Sequence, residues 1–313
     1  KQIIADRIRM RERASVQFGA VDEAAHERMV AALLPFLEKI LDFVDFFNVL
    51  LNQNTTDKQN RTEATCRDIL SIVDFMKIGV CHLQLAPAVA FAEAIAMILL
   101  DGLGIGTNMN SATSAEYKQK CFDKLLALMD ADQRAALQAY FASPSAVAVT
   151  EGRFGVAPYF VRTLAGARPS IDDYHFDAPT TCSNLKRVLR ALQLHKPILL
   201  EGSPGVGKTS LITAMAQAIG QPLVRINLSE QTDMADLLGS DLPVPVGEQA
   251  TDEKGNAVQF KWSDGVLLSG IKKGAWILLD ELNLASQQVL EGLNSCLDHR
   301  ATVYIPEIDK EFQ

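Results

Sequence analysis

The chemistry in this chain is densest between Glu201 and Ser210, EGSPGVGKTS. Gly202, Ser203, Pro204, Gly205, Val206 and Gly207 make a loop in which successive backbone N–H groups can face inward around a polyphosphate. Lys208 then reaches the β- and γ-phosphates, the Thr209 hydroxyl is a ligand for Mg²⁺, and Ser210 continues into a helix whose N-terminus favours negative charge. The full G-x-x-x-x-G-K-[ST] pattern points to ATP with Mg²⁺ as the ligand.

A second chemical element, WILLDE, follows about seventy residues later. Trp276 to Leu279 read as a buried strand that ends in two carboxylates. At the C-terminal edge of a parallel sheet, Asp280 can hold the hydration shell of Mg²⁺ and Glu281 can polarise an attacking water as general base. A glycine-rich run at 102–108, GLGIGTN, breaks the spacing of a dinucleotide loop and follows a helix, so it reads as a helix end and turn.

These groups need a scaffold, and from about residue 176 the pattern supplies one. The helix CSNLKRVLRALQL, the strand PILLE, a helix from 207, the strand PLVRINL, a helix near 233, a strand pair around 258–262, a helix at 265–273, WILLD, a helix at 286–298 and the strand TVYIP follow in turn. Short apolar strands alternating with helices predict an α/β P-loop core, a parallel sheet with helices on both faces. Residues 22–142 instead read as successive helices, with Pro35 at a start or kink and a polar loop at 52–62. Gly79 is expected to stop one of them, Cys66, Ile69, Leu70 and Val73 to line its inner stripe, and Thr113 with Glu116 to form a capping box on another, whose stripe is Phe122, Leu125, Leu126 and Met129. The expected division is a helical part at 1–142, a linker or edge hairpin at 143–175 and the α/β core at 176–313.

A formal net charge of −8 over 313 residues argues against a basic surface wrapping nucleic acid, so no direct sequence-specific nucleic-acid binding is expected. The most apolar run, 85–106, is interrupted by Glu93 and Asp101, which makes it a core helix rather than a membrane span. Five scattered cysteines form no C-x-x-C pair and read as free thiols of a reducing compartment; His299 has no second ligand nearby, and no metal site built from protein ligands alone is expected.

The stretch from Ala178 to Val244, with FKWSDG at 260–265 and the run through EIDKEF, resembles a unit of the dynein-related AAA+ ATPases, very large chains that close several such units into a ring. The resemblance covers nearly all of 150–313. CRDILSIVDF and AFAEAIAMILLDGLGIG are similar to the helical lid closing a preceding unit, where Arg67 matches an arginine that contacts nucleotide. By this likeness the chain holds the end of one unit and the start of the next, stopping before a sensor Asn, an arginine finger and its own lid. The piece alone is then expected to bind ATP and hydrolyse little.

The region of NLSEQTD and FKWSDG is by the same likeness a projecting insertion; from its residues alone a buried hairpin serves equally well, with TDEKGNA a solvated loop. The resemblance further implies an ATPase that remodels pre-60S ribosomal particles and removes assembly factors, in the nucleolus and nucleoplasm, with neighbouring AAA+ units in the same chain as partners and no membrane. A structural nucleotide-binding unit of the ring, or a stand-alone AAA+ chaperone of bacterial type, stays open as an alternative.

Overall fold

Asp22, Asn110 and Asp130 each turn a side-chain oxygen onto the backbone N–H three residues on, and each opens a helix. They punctuate a computed structural model that describes residues 1–10, 22–52, 63–104, 109–150, 152–164, 174–194, 196–243, 250–251, 257–258, 260–298, 302–305 and 308–312. The chain divides into two units. One comprises Lys1–Thr150, Gly155–Arg162 and Phe176–Val206; the other comprises Glu151–Phe154, Thr163–His175 and Gly207–Gln313.

The first unit is helical. Its helices are α1 (Gln2–Arg9), α2 (Glu23–Leu33), α3 (Phe36–Asn52), α4 (Cys66–Cys81), α5 (Pro87–Ile95), α6 (Ser111–Ala127), α7 (Ala131–Ala142) and α8 (Pro179–Ala191), and α5 runs on into a π-helical turn, Ala96–Leu100. Pro35 sits at the break between α2 and α3. Phe91 of α5 anchors the core, with its ring 5.8 Å from Phe36 and 6.2 Å, edge-on, from Phe43. Among the described residues no helix is long and apolar enough to cross a membrane.

Several details depart from the sequence expectation. Gly79 does not end its helix; α4 continues to Cys81, and a Cβ at Gly79 would lie 3.0 Å from that of Ala90, so the missing side chain serves the close approach of α4 and α5. The cap of α6 is Asn110, because its carboxamide oxygen accepts from Thr113 N at 2.7 Å. The inner faces shift as well: Cys66 is exposed while Ser71 to Gly79 are all buried, and in α6 Tyr117, Cys121 and Leu125 face inward while Phe122 is exposed. Burial lifts the Cys121 thiol to about 11, which makes it a packing group. Within 143–175, expected as a linker or edge hairpin, β1 (Val147–Thr150), β2 (Arg153–Val156) and β3 (Tyr159–Arg162) form a three-stranded sheet, one strand more than a hairpin, with Val156 and Tyr159 fully buried. Of the loops expected at 52–62 and 251–257, residues 53–62 and 252–256 lie outside the described residues, as does His299.

Helix α8, expected with the α/β core, clusters with the helical unit, and charge is the physical reason. Arg190 of α8, with its side chain 8% exposed, pairs with Glu93 of α5 and with Asp101. Burial opposes the guanidinium's charge, and Glu93 and Asp101 outweigh it, so its pKa is raised. Tyr140 and Tyr159 lie beside this group; burial first, then the charge of Glu93, lifts both phenols well above their ordinary range. Polar burial in α4 is matched likewise: Asp74 accepts from Arg7 of α1 at 2.6 and 2.8 Å, and Lys77 donates to the Met10 carbonyl at 2.6 Å.

The second unit holds α9 (Lys208–Ile219), β4 (Leu223–Asn227), α10 (Met234–Leu238), α11 (Val266–Lys272), β9 (Trp276–Asp280) and α12 (Gln287–Leu297). Strands β4 and β9 are parallel, from Leu223↔Trp276 to Asn227↔Asp280. Ile226, Leu228, Leu237, Leu267, Val289 and Leu293 form the core beneath them. Between α10 and α11 the chain makes a nested antiparallel hairpin, β5 (Gly239–Pro243) with β8 (Phe260–Asp264) and, further out, β6 (Ala250–Thr251) with β7 (Ala257–Val258). Phe260 is exposed and Trp262 half-buried, so this hairpin is not a buried one.

Two expected members of the parallel sheet are absent from it. TVYIP gives β10 (Val303–Ile305), which turns back antiparallel onto β11 (Lys310–Phe312). PILLE is no strand: 197–201 carry no ladder bonds, and Leu199 is 68% exposed. An apolar run becomes a buried strand only where neighbours fill its edges, and among the described residues β9 pairs with β4 alone. For the same reason β9 is half-buried along its whole length.

The Arg190 cluster yields a test. Arg190→Met leaves Glu93 buried without its counter-ion and should lower the stability of the helical unit by about 3–5 kcal/mol in urea unfolding. A loss below about 1 kcal/mol would show that water already reaches these charges.

Candidate nucleotide site

Glycines set the shape of the loop ahead of α9. Gly205 and Gly207 take φ of +77° and +83°, so the backbone at both is closed to ordinary side chains; among the described residues a Cβ on Gly207 would meet nothing within 4 Å. Residues 201–206 are exposed, and the division between the two units falls after Val206. Gly207 is the left-handed residue before the first turn of α9, so the helix begins at Lys208 and Thr209.

Within the second unit two sequence-distant groups meet. Thr209 Oγ1 lies 3.3 Å from Asp280 Oδ2 across 71 residues. The helix start delivers the hydroxyl, the last residue of β9 delivers the carboxylate, and parallel pairing with β4 fixes that strand end. Leu228 N extends the ladder to the Asp280 carbonyl at 3.0 Å, and Thr213 Oγ1 donates to the Thr209 carbonyl at 2.9 Å. Glu281 follows in the left-handed region, φ 55° and ψ 44°, and is exposed; a short 3-10 turn, Leu282–Leu284, begins after it. A non-glycine residue there costs of order 1 kcal/mol, and it turns the glutamate out of the line of the strand.

Sequence reasoning missed Arg225. From the middle of β4 its Nε and Nη2 donate to Asp280 Oδ2 at 3.0 and 2.5 Å, to the same oxygen that faces Thr209. The signal was a lone arginine inside the apolar strand LVRINL, but only the register, Arg225↔Leu278 and Asn227↔Asp280, brings it to the carboxylate. A cavity of 280 Å³ opens beside α9, lined by Tyr174, Thr209, Ser210, Thr213, Gln217 and Arg225. Arg67, the remaining candidate, belongs to the first unit, where it is exposed in the first turn of α4.

These residues fit a magnesium nucleotide. Mg²⁺ takes hard oxygen ligands and keeps much of its water, and a hydroxyl and a carboxylate oxygen 3.3 Å apart are such a pair. Gly207, at positive φ ahead of α9, leaves the first turn of the helix clear for phosphate oxygens.

Comparison with known proteins agrees with this chemistry. The AAA domain family, dynein-related subfamily, matches residues 197–311. Midasin of Dictyostelium discoideum is 43% identical over 286 residues, 87% of this chain and 5% of that protein. Midasin of Giardia intestinalis is 56% identical over 144 residues, 46% of this chain and 3% of that protein. An uncharacterized protein of Staphylococcus saprophyticus is 33% identical over 115 residues, 37% of this chain and 41% of its own length. The chain therefore spans only a small part of the midasins it matches.

Gly207 and Gly274 provide a matched pair of substitutions, both at positive φ with open space around them. Alanine at either should cost stability by about 1–2 kcal/mol. Only Gly207→Ala should also weaken binding of a fluorescent ATP analogue, by about tenfold, because it displaces the start of α9. Equal affinities in the two variants, by titration, would remove the loop from the site.

Proposed function

The chain belongs to the midasin family, and on that premise we propose that its second unit binds and hydrolyses ATP as one AAA+ unit of a ring-forming mechanoenzyme. The observation that carries this reading is the approach of Thr209 Oγ1 to Asp280 Oδ2 at the head of α9. Lys208 and the N–H groups of the loop bind and orient the β- and γ-phosphates. Thr209 and Asp280 would hold Mg²⁺, which when bound would neutralise charge on the phosphate oxygens. Glu281 accepts the proton of the attacking water at its carboxylate, and its left-handed backbone sets that carboxylate apart from Asp280.

The first unit reads as the helical lid of a preceding AAA+ unit, with Arg67 as a residue that reaches nucleotide bound there. As part of a midasin-like protein the segment serves remodelling of pre-60S ribosomal particles and removal of their assembly factors, in the nucleolus and nucleoplasm. These assignments rest on the family likeness. A second reading, a unit that holds nucleotide for ring structure alone, is favoured by one observation: Arg225 occupies the carboxylate oxygen that the metal needs.

Turnover separates the two readings. In the intact protein Glu281→Gln should keep ATP bound and lower phosphate release at this site about 10²- to 10⁴-fold, the usual worth of a general base. Lys208→Ala should lose binding. Unchanged phosphate release with Glu281→Gln, together with loss of ring integrity with Lys208→Ala, would establish the structural role instead.

A further inference from the structure

Asp280 Oδ2 has three donors on one oxygen: the Thr209 hydroxyl and two N–H groups of Arg225. A carboxylate oxygen offers about two lone-pair directions, so these donors saturate it. A hydrated magnesium ion needs the same acceptor for its water hydrogens. It would also bring a double positive charge to within a few ångströms of the guanidinium. The guanidinium and the metal therefore exclude each other at this atom.

We propose that Arg225 is a resident counter-ion of Asp280 that Mg²⁺ must displace, so that this arginine sets how much Mg²⁺ the site requires. The inference rests on the nucleotide reading given above and adds a competitor to it. Two features make the exchange feasible. The Arg225 side chain is 58% exposed, so the carboxylate holds it rather than packing, and release breaks no core contact. Arg225 also lines the cavity beside α9, where the Tyr174, Thr213 and Gln217 side chains give a displaced guanidinium polar surroundings.

The exchange orders the binding events. ATP without metal engages Lys208 and the glycine loop while Arg225 stays on Asp280; the metal then arrives against the arginine. Before loading, the guanidinium keeps the carboxylate aimed at Thr209. After loading, the arginine is free on the surface of β4. The arginine is thus a positioning residue.

The test uses the full 313-residue chain and a fluorescent ATP analogue, titrated in EDTA and then with increasing Mg²⁺. For Arg225→Gln the Mg²⁺ concentration giving half of the metal-dependent gain in affinity should fall about two- to fivefold, the range carried by an exposed ion pair. Affinity in EDTA should stay within about twofold of the unsubstituted chain, and Arg225→Lys, which keeps the charge but loses the fork, should lie between the two. An unchanged or increased Mg²⁺ requirement with normal binding in EDTA overturns the inference alone. A loss of EDTA affinity in Arg225→Gln also overturns it, because the arginine would then be a phosphate ligand. Absence of binding by the unsubstituted chain under both conditions overturns the nucleotide reading and this inference with it.

Discussion

The parallel pairing of β4 and β9 is the constraint on which the second unit depends. Five residue pairs in fixed register bring the carboxylates at 280 and 281 to the end of the sheet, and one step of slip would turn every side chain of β9 to the opposite face. Core packing beneath, through Ile226, Leu267 and Val289, resists that slip. The chemistry of Asp280 is therefore held by hydrophobic burial several residues away from it.

The helical unit uses a different means. Its interior contains charges that are matched rather than avoided: Arg190 against Glu93 and Asp101, Asp74 against Arg7, Lys77 against the carbonyls of Arg7 and Met10. Such groups add little net stability over apolar packing, but a wrong docking of α1 or α8 would leave a charge buried and alone. Pairing of this sort selects one arrangement among many hydrophobic ones.

Residue types and spacings made part of this legible. Lys208 and Thr209 follow a glycine loop whose pattern has few other uses, and Asp280 follows four apolar residues, so a strand end and a helix start could be read directly. Arg225 could not be read, because its meeting with Asp280 depends on strand register, a property of two segments together. The run 197–201 failed for a related reason: an apolar pattern states a preference for burial and says nothing of which neighbour provides it. Gly79 misled because a helix-stopping residue and a residue of close helix contact are the same residue. The capping of α6 shifted from Thr113 to Asn110 within one turn, where two good caps compete. TVYIP has strand composition, and its antiparallel pairing with β11 depends on a second segment that its own residues do not name.

The nested hairpin shows how such a unit accommodates change. Its base closes at Gly239↔Asp264, and from there outward the ladder pairs of the described residues are made within the hairpin itself. Lengthening it adds only a slowly growing loop-closure term to a structure already joined at the base. The arm can therefore change in length while the β4–β9 pair keeps its register. The arm is a place where sequence drift can accumulate without being transmitted to the start of α9.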